Sequence, residues 1–206
     1  MRKLRILAEK TGSVPAVTNL LNSINDLYIG LYVLERVVGK AKNAPEELAP
    51  EERLLRSIFG EKASNNFDFK KSVAEALEEA APLELTAASF SSPGFWEFLG
   101  SLNPLQQIRE WIKDSHERRK DKKYREGQEE RENNLKIEEL QIKNLRDKIA
   151  ILREVGVPEE EIRTGVRELI GYPLKALRES EDHGLIESAE IMDEERKSAL
   201  TETSLD

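Results

Sequence analysis

The sequence predicts a mainly α protein with a small β component, in which a duplicated strand–helix unit is followed by a long coiled-coil-like helix and a C-terminal helical hairpin. Three observations lead to this fold class. Apolar residues recur at heptad spacing through residues 17–38, and two short stretches with alternating apolar residues resemble each other at an offset of 79. Charged residues make up 35 % of the 206-residue chain and aromatic residues 6 %, which is typical of long solvated helices.

The first unit opens with a strand and the start of a helix. Leu4, Ile6 and Ala8 alternate with the residues between them, as on a strand with one buried face. Ser13 suits the N-cap of a helix because its hydroxyl can accept a backbone N–H, and Pro15 suits the first turn, where no backbone donor is needed. We therefore predict a short strand and, directly after it, a helix.

This first helix has the most regular apolar spacing in the chain. Its apolar residues recur at intervals of three and four, which is the pattern of a heptad seam. Further apolar residues widen the surface, so the helix is expected to be buried, either as a central core helix or between subunits. The predicted seam consists of Val17, Leu20, Ile24, Leu27, Leu31, Leu34 and Val38.

A second copy of this unit is predicted further along the chain. The alternation of the first strand recurs at Leu83, Leu85 and Ala87, and the stretch 93–105 resembles the helix-forming stretch 15–27. Agreement in both halves of the unit indicates an internal repeat. The predicted domains are a head at 1–113 (copies at about 4–38 and 83–113, helical spacer at 40–82), a long helix at 114–155, a helical cap at 156–187 and a polar tail at 188–206.

A long helix is predicted from Leu105 to Val155. Residues 115–134 contain thirteen charged side chains of both signs and only Tyr124 as an apolar one, which is the pattern of a solvated arm or of a hinge with Gly127 as its weak point. A heptad seam then resumes, and Gly156 suits a left-handed C-cap. The resumed seam consists of Leu135, Ile142, Leu145, Ile149 and Leu152.

The last third of the chain predicts a helical hairpin that folds back on the coiled coil. Pro158 begins a helix with three glutamates in its first turn, where carboxylates complement the helix dipole. Gly171 is expected to end that helix, and Pro173 to begin a shorter one. Residues 188–206 are polar and are expected to form a loose tail.

The sequence offers no catalytic constellation. It has no cysteine, and neither His116 nor His183 has a second histidine at metal-ligand spacing. The stretch around Gly12 follows a strand and precedes a helix, but it lacks the other glycines and the lysine of a phosphate-binding loop. No catalytic residue, cofactor or metal ligand is therefore predicted, and the chain is expected not to be an enzyme.

These features favour a homo-oligomeric interaction protein that acts as a scaffold, an adaptor or a regulatory subunit. A chain with few strands has exposed sheet edges, and edges readily pair with another chain. The two heptad seams would offer further surfaces to partner helices. The expected partners are a second copy of the chain and another protein, in a cytoplasmic setting; the combination of a compact repeat and a charged helix resembles bacterial proteins.

Two alternatives stay open. In the first, the chain is a peripheral membrane-acting oligomer, because tryptophan and phenylalanine followed by a basic run suit a membrane interface; this surface would consist of Phe95, Trp96, Phe98 and Trp111. In the second, a basic arm binds nucleic acid or another anionic partner, through Arg118, Arg119, Lys120, Lys122, Lys123 and Arg125. The net charge of −8 and the glutamates near that arm disfavour nucleic-acid binding.

Overall fold

The computed structural model describes residues 2–9, 12–43, 67–124 and 145–193, and the side chains of these residues except 117–124 and 193. Over this part the chain is mostly helical with one small antiparallel sheet, which confirms the mainly α class with a β component. The elements are β1 (Arg2–Ala8), α1 (Val14–Lys42), α2 (Phe69–Glu79), β2 (Glu84–Ser89), β3 (Gly94–Gly100), α3 (Leu102–Tyr124), α4 (Leu145–Glu154), α5 (Glu159–Val166), a π-helical turn (Arg167–Gly171), α6 (Tyr172–Asp182) and β4 (Ser188–Asp193).

Helix α1 is the centre of the fold. Ser13 caps it as predicted, since its hydroxyl accepts the backbone N–H of Ala16 over 3.4 Å. The apolar residues of the predicted seam are buried along the whole helix, and Leu20, Ile24 and Leu27 are fully inaccessible to solvent. The expectation of a central core helix is therefore confirmed within a single chain.

The sheet has the strand order β2-β3-β1-β4, and every neighbouring pair is antiparallel. Leu4 of β1 lies opposite Phe98 of β3, and Ile6 lies opposite Trp96. All four side chains are buried, so they form the face of the sheet that packs on the helices. The two strands predicted from alternating apolar residues are not neighbours in the sheet, because β1 pairs with β3 and β4 and not with β2.

Strand β3 corrects the prediction of a second helix at 93–105. Residues Gly94–Gly100 form a strand, and the helix begins only at Leu102. Trp96 and Phe98 are two residues apart and point to the same buried face, which is the periodicity of a strand. The predicted second copy thus has the order strand–strand–helix (β2, β3 and the following helix), whereas the first copy has the order strand–helix (β1 and α1). The duplicated unit is not confirmed.

Helices α3 and α4 are not parts of one straight helix, so the single helix predicted from Leu105 to Val155 is wrong. Lys148 on α4 donates from Nζ to Oε1 of Gln107 on α3 over 3.3 Å. Along a straight helix these residues would be about 60 Å apart. The residues between 124 and 145, including the second half of the predicted arm, lie outside the described part, and the coiled coil is not confirmed.

The C-terminal region confirms one predicted helix end and corrects another. Gly156 has a φ of 83° and closes α4 with two hydrogen bonds, Gly156 N to Arg153 O and Val157 N to Leu152 O, both 3.0 Å long. This is the Schellman arrangement expected of a C-cap glycine. Gly171, however, keeps a right-handed helical φ of −63°, so α5, the π-helical turn and α6 follow one another without a break.

Residues 188–193 form an ordered edge strand, which corrects the loose tail predicted from 188 onward. In β4, Ile191 lies opposite Leu4 and Ala189 lies opposite Ile6. The backbone N–H of Glu187 donates to the carbonyl of Leu7 over 2.7 Å and leads the chain into this pairing. The partner strand β1 therefore supplies the order that the polar local sequence does not indicate.

The backbones of α1 and the π-helical turn make their closest approach at Gly30. A Cβ on Gly30 would overlap the carbonyl group of Leu169. Glycine is needed here because only a residue without a side chain lets two backbones come so close.

We expect Gly30→Ala to lower the free energy of unfolding by about 2 kcal/mol or more, because the added methyl group has no space. Gly39→Ala is the matched control on the same helix, since a Cβ there meets no heavy atom within 4 Å. This control should raise the free energy of unfolding by about 0.5–1 kcal/mol through helix propensity. Urea denaturation measures both, and equal losses in the two variants would contradict the close-approach explanation.

Candidate interaction surfaces

The predicted seam residues belong to the core of the single chain. On α1 they are covered by the sheet and by the other helices, so a second copy has no access to them while this fold is intact. In the second seam, Leu145 and Leu152 are buried and Ile149 is half-buried. Leu135 and Ile142 lie outside the described residues. The residues with the clearest heptad spacing are therefore used for internal packing.

The predicted aromatic surface is also mostly internal. Trp96, Phe98 and Trp111 are buried, and only Phe95 is half-buried at the surface. The guanidinium carbon of Arg5 lies 4.7 Å from the centre of the Phe95 ring. A membrane or a partner could reach this aromatic group only through Phe95 in the described conformation.

The predicted basic arm is described only in its backbone. Residues 118–123 belong to α3, but their side chains are not described, and Arg125 lies outside the described residues. His116 is half-buried and His183 is exposed. Across the described ranges, no group of three or more histidine, cysteine or acidic residues could hold a metal ion, and no helix is long and apolar enough to cross a membrane.

The outward face of the sheet carries an ion pair among half-buried apolar residues. Arg5 of β1 and Glu97 of β3 lie opposite each other, and Arg5 Nε donates to Glu97 Oε1 over 3.0 Å. The Glu97 side chain is only 4 % exposed, because Arg5 lies over it. Leu7 and Leu99 are half-buried on the same face. This face therefore combines apolar area with a charge pair that is satisfied within the chain.

The two edges of the sheet differ in charge. Strand β4 carries Glu190 in its interior, whereas the only charged residue in β2 is Glu84 at its first position. Leu85 of β2 is 45 % exposed, and Phe90, the first residue after the end of β2, is 61 % exposed. Charged residues in the interior of an edge strand oppose pairing with other chains, so β2, whose only charge is at its first position, is the edge more prone to such pairing.

A groove runs between α2 on one side and α5, the π-helical turn and α6 on the other, and α1 forms the floor of the part beside α6. It consists of two adjoining cavities, of about 440 Å³ and about 390 Å³, which share Leu77, Glu168 and Leu169 as lining residues. Leu77 is 46 % exposed and Tyr172 is 59 % exposed, although both are large side chains. The groove therefore presents apolar surface that the described part of the chain leaves uncovered.

Carboxylates surround this apolar groove. Four acidic residues and one lysine line it: Asp26, Glu160, Glu161, Glu168 and Lys70. Lys70 lies 3.5 Å from Glu161, and Glu160 is 2.7 Å from Arg163, so these two acids have cationic neighbours. Asp26 and Glu168 are exposed and form no ion pair with any residue that the structure describes. The electrostatic potential of the groove is therefore negative.

A larger cleft, of about 920 Å³, lies beside the C-terminal half of α1, and its charged groups are satisfied within the chain. Arg36 is paired with Glu79 of α2 over 2.7 Å, and Lys40 is paired with Glu75 over 2.9 Å. The hydrogen bond from Arg36 holds the pKa of Glu79 below its ordinary value. Arg36 and Lys40 thus join α1 to α2, and Glu35, the other charged residue in the described lining, accepts a hydrogen bond from Asn103 over 2.6 Å.

Next to this cleft lies Lys148, whose burial disfavours the protonated, charged form of its side chain. Its Nζ donates to Gln107, and burial lowers the pKa of Lys148 below the ordinary value, while the carboxylate of Glu35 partly opposes this effect. The cause is that the ammonium group loses hydration when α4 packs on α1 and Lys148 is buried beside Gln107 of α3. We attribute this shift to packing, because the partner of Lys148 is a neutral amide.

The pKa of Lys148 predicts how stability depends on pH. The unfolded chain keeps the ordinary lysine pKa of 10.5, so between the lowered pKa and 10.5 it binds more protons than the folded chain. The free energy of unfolding should therefore receive a contribution that rises with pH across this window. Lys148→Met should remove that contribution, and Lys175→Met, at an exposed position on α6, should keep it. Urea denaturation between about pH 7 and 10.5 measures the difference; the same pH profile in Lys148→Met and the wild type would contradict the assignment.

The groove has no distinct signal in the sequence. The spacing of Val73, Ala76 and Leu77 indicates one apolar side of a helix, and nothing in that spacing separates the buried Ala76 from the exposed Leu77. Tyr172, which lies alone between Gly171 and Pro173, likewise belongs to no apolar pattern that would predict an exposed binding residue.

Comparisons with protein-family models, with curated proteins and with solved structures give no match. The function therefore has to be argued from the surfaces described above: the β2 edge, the outward sheet face and the acidic groove.

Proposed function

We propose that this chain is a non-enzymatic, homo-oligomeric interaction protein, a scaffold, adaptor or regulatory subunit, and that its copies associate through strand β2. The observation that carries the proposal is the unprotected β2 edge, with Leu85 and Phe90 exposed beside it. Pairing of this edge with its counterpart in a second copy would bury both side chains. Antiparallel pairing of two identical strands has the two-fold symmetry that is commonest among homodimers.

The geometry of β2 limits the size of this contact. The pairing of β2 with β3 shifts register between Leu85 and Ala87, so the regular part of the edge is short. Thr86, at this irregularity, donates its hydroxyl to the carbonyl of Glu97 over 3.3 Å and fixes the local shape. A short strand contact flanked by two apolar side chains supports a dimer of moderate affinity.

Burial of the predicted seams and aromatics shifts the proposed assembly surface to the sheet. Association through α1 would require the core to open, because its seam residues are already covered. The membrane alternative has the same difficulty, since Trp96, Phe98 and Trp111 are buried and a bilayer would have to draw them out. The β2 edge requires no such rearrangement, which is why we favour it over both.

The proposal predicts a concentration-dependent dimer. Light scattering after gel filtration, from about 1 to 100 µM, should show the dimer mass at the upper end, as expected for a small interface. The double variant Leu85→Lys, Phe90→Lys should be monomeric, because lysines at an edge oppose strand pairing.

Val14→Lys is the matched control, because Val14 is an exposed apolar residue outside the sheet. This variant should dimerise like the wild type. Circular dichroism verifies that all three proteins are folded. A wild type that is monomeric at 100 µM, or a double variant that still dimerises, would rule out assembly through β2.

A further inference from the structure

We propose that the acidic groove between α2 and the π-helical turn binds a cationic amphipathic helix of a partner protein. Its apolar lining includes Leu77, Leu169 and Tyr172, and its carboxylates surround that lining. A helix that inserts an apolar ridge between two helices, with lysine or arginine on both flanks, complements both properties. This site goes beyond the proposed self-association and uses a different face of the molecule.

The exposed apolar residues give the groove its binding energy. Leu77 and Tyr172 are among the few large apolar side chains that the described structure leaves more than a third exposed. Tyrosine and leucine in a groove contribute most when a partner excludes water from them. The two side chains are contributed by α2 and α6, so a ridge that touches both has to lie along the groove.

The carboxylates of the groove favour a partner helix with positive charge. Asp26 on α1 and Glu168 on the π-helical turn belong to the same cavity as Tyr172, and that cavity has no basic lining residue among those described. Cations that approach this cavity gain electrostatic energy without displacing an existing ion pair. An acidic helix would meet like charges, which costs association energy and slows encounter.

The backbone beneath the groove is preorganised. Leu169 is held where the turn meets Gly30, and this contact leaves no space even for a Cβ. π-helical turns inside α-helices occur frequently at functional sites. A floor fixed by close backbone packing does not have to be ordered when a partner binds, so less of the contact energy is lost.

The test uses a synthetic helical peptide of about 18 residues, with leucines at i, i+4, i+7 and i+11 and lysines on both flanks. Two control peptides replace the lysines by glutamates or scramble the order of the residues. Fluorescence anisotropy should give micromolar affinity for the lysine peptide, at least tenfold weaker binding of both controls, and weakening by salt. Equal affinities for the three peptides, or no binding of the lysine peptide up to about 1 mM, would overturn the proposal.

Variants locate the site. Leu77→Ala with Tyr172→Ala should weaken binding about tenfold or more, whereas Phe90→Ala, an exposed aromatic on the sheet, should leave it unchanged. Asp26→Asn with Glu168→Gln should reduce affinity and flatten the salt dependence, and Glu190→Gln on β4 should do neither. Unchanged affinity in both groove variants would overturn the assignment of the peptide to this groove.

A photo-crosslinking residue in place of Leu77 identifies the occupant directly. Cross-links to the lysine peptide, blocked by excess unlabelled peptide, support the proposal. Cross-links to a second copy, or to residues of the same chain that persist with the peptide present, would overturn it. Peptide binding is measured separately from dimer mass, so failure here and failure of the β2 assembly are distinguishable.

Discussion

The burial of the apolar residues of α1, which occupy most of its circumference, is the constraint on which the rest of the structure depends. A helix of 29 residues with apolar groups around its circumference cannot be stable with only one covered face. Helices α2, α3, α4 and α6 and the π-helical turn all pack on α1, and the sheet packs on α3 through β1 and β4. At roughly 25 cal/mol for each Å² of apolar surface removed from water, each large side chain buried along this helix contributes on the order of 2 kcal/mol. Most of the surrounding helices are held together because each packs on α1, whereas the sheet joins them through α3 and α5 joins them through α4 and the π-helical turn.

Close packing on α1 also explains the groove. At Gly30 the helix admits the backbone of the π-helical turn, and this fixes the position of Leu169. Helix α2 approaches α1 from another side and is attached to it by Lys40 and Glu75. Helix α2 and the π-helical turn are both anchored to α1, but they do not contact each other along their full length. A gap is therefore left between them. Leu77 of α2 faces that gap and stays half exposed.

Local patterns predicted the elements whose structure is decided locally. The spacing along α1, the alternation in β1, the cap at Ser13 and the terminus at Gly156 all correspond to the described structure. The failures are at residues decided by distant partners. Trp96 and Phe98 fit the helical spacing of a supposed repeat, but they are buried opposite Ile6 and Leu4 in a sheet. Ile191 is too isolated in the sequence to predict a strand. Residues 188–193 nevertheless form β4, because β1 offers an unpaired edge to them.

The interaction surfaces were less predictable than the core for a related reason. The strongest apolar signals, the α1 seam and the aromatic cluster, are used for internal packing. The groove depends instead on Leu77 and Tyr172, which come from helices separated by almost a hundred residues. Neither residue differs in its local pattern from neighbours that are buried. Only the arrangement of α2 and α6 around α1 shows that these two side chains remain accessible together.

The two proposed surfaces differ in charge and therefore suit different partners. A second copy of this chain carries the same net charge of −8, so on average it is repelled by a groove lined by Asp26, Glu160, Glu161 and Glu168. The β2 edge carries only Glu84, and its central residues are neutral. Copies can therefore approach each other at β2 at a lower electrostatic cost than at the groove, which stays open to a cationic partner. On this argument self-association and partner binding do not compete, and one assembly can do both.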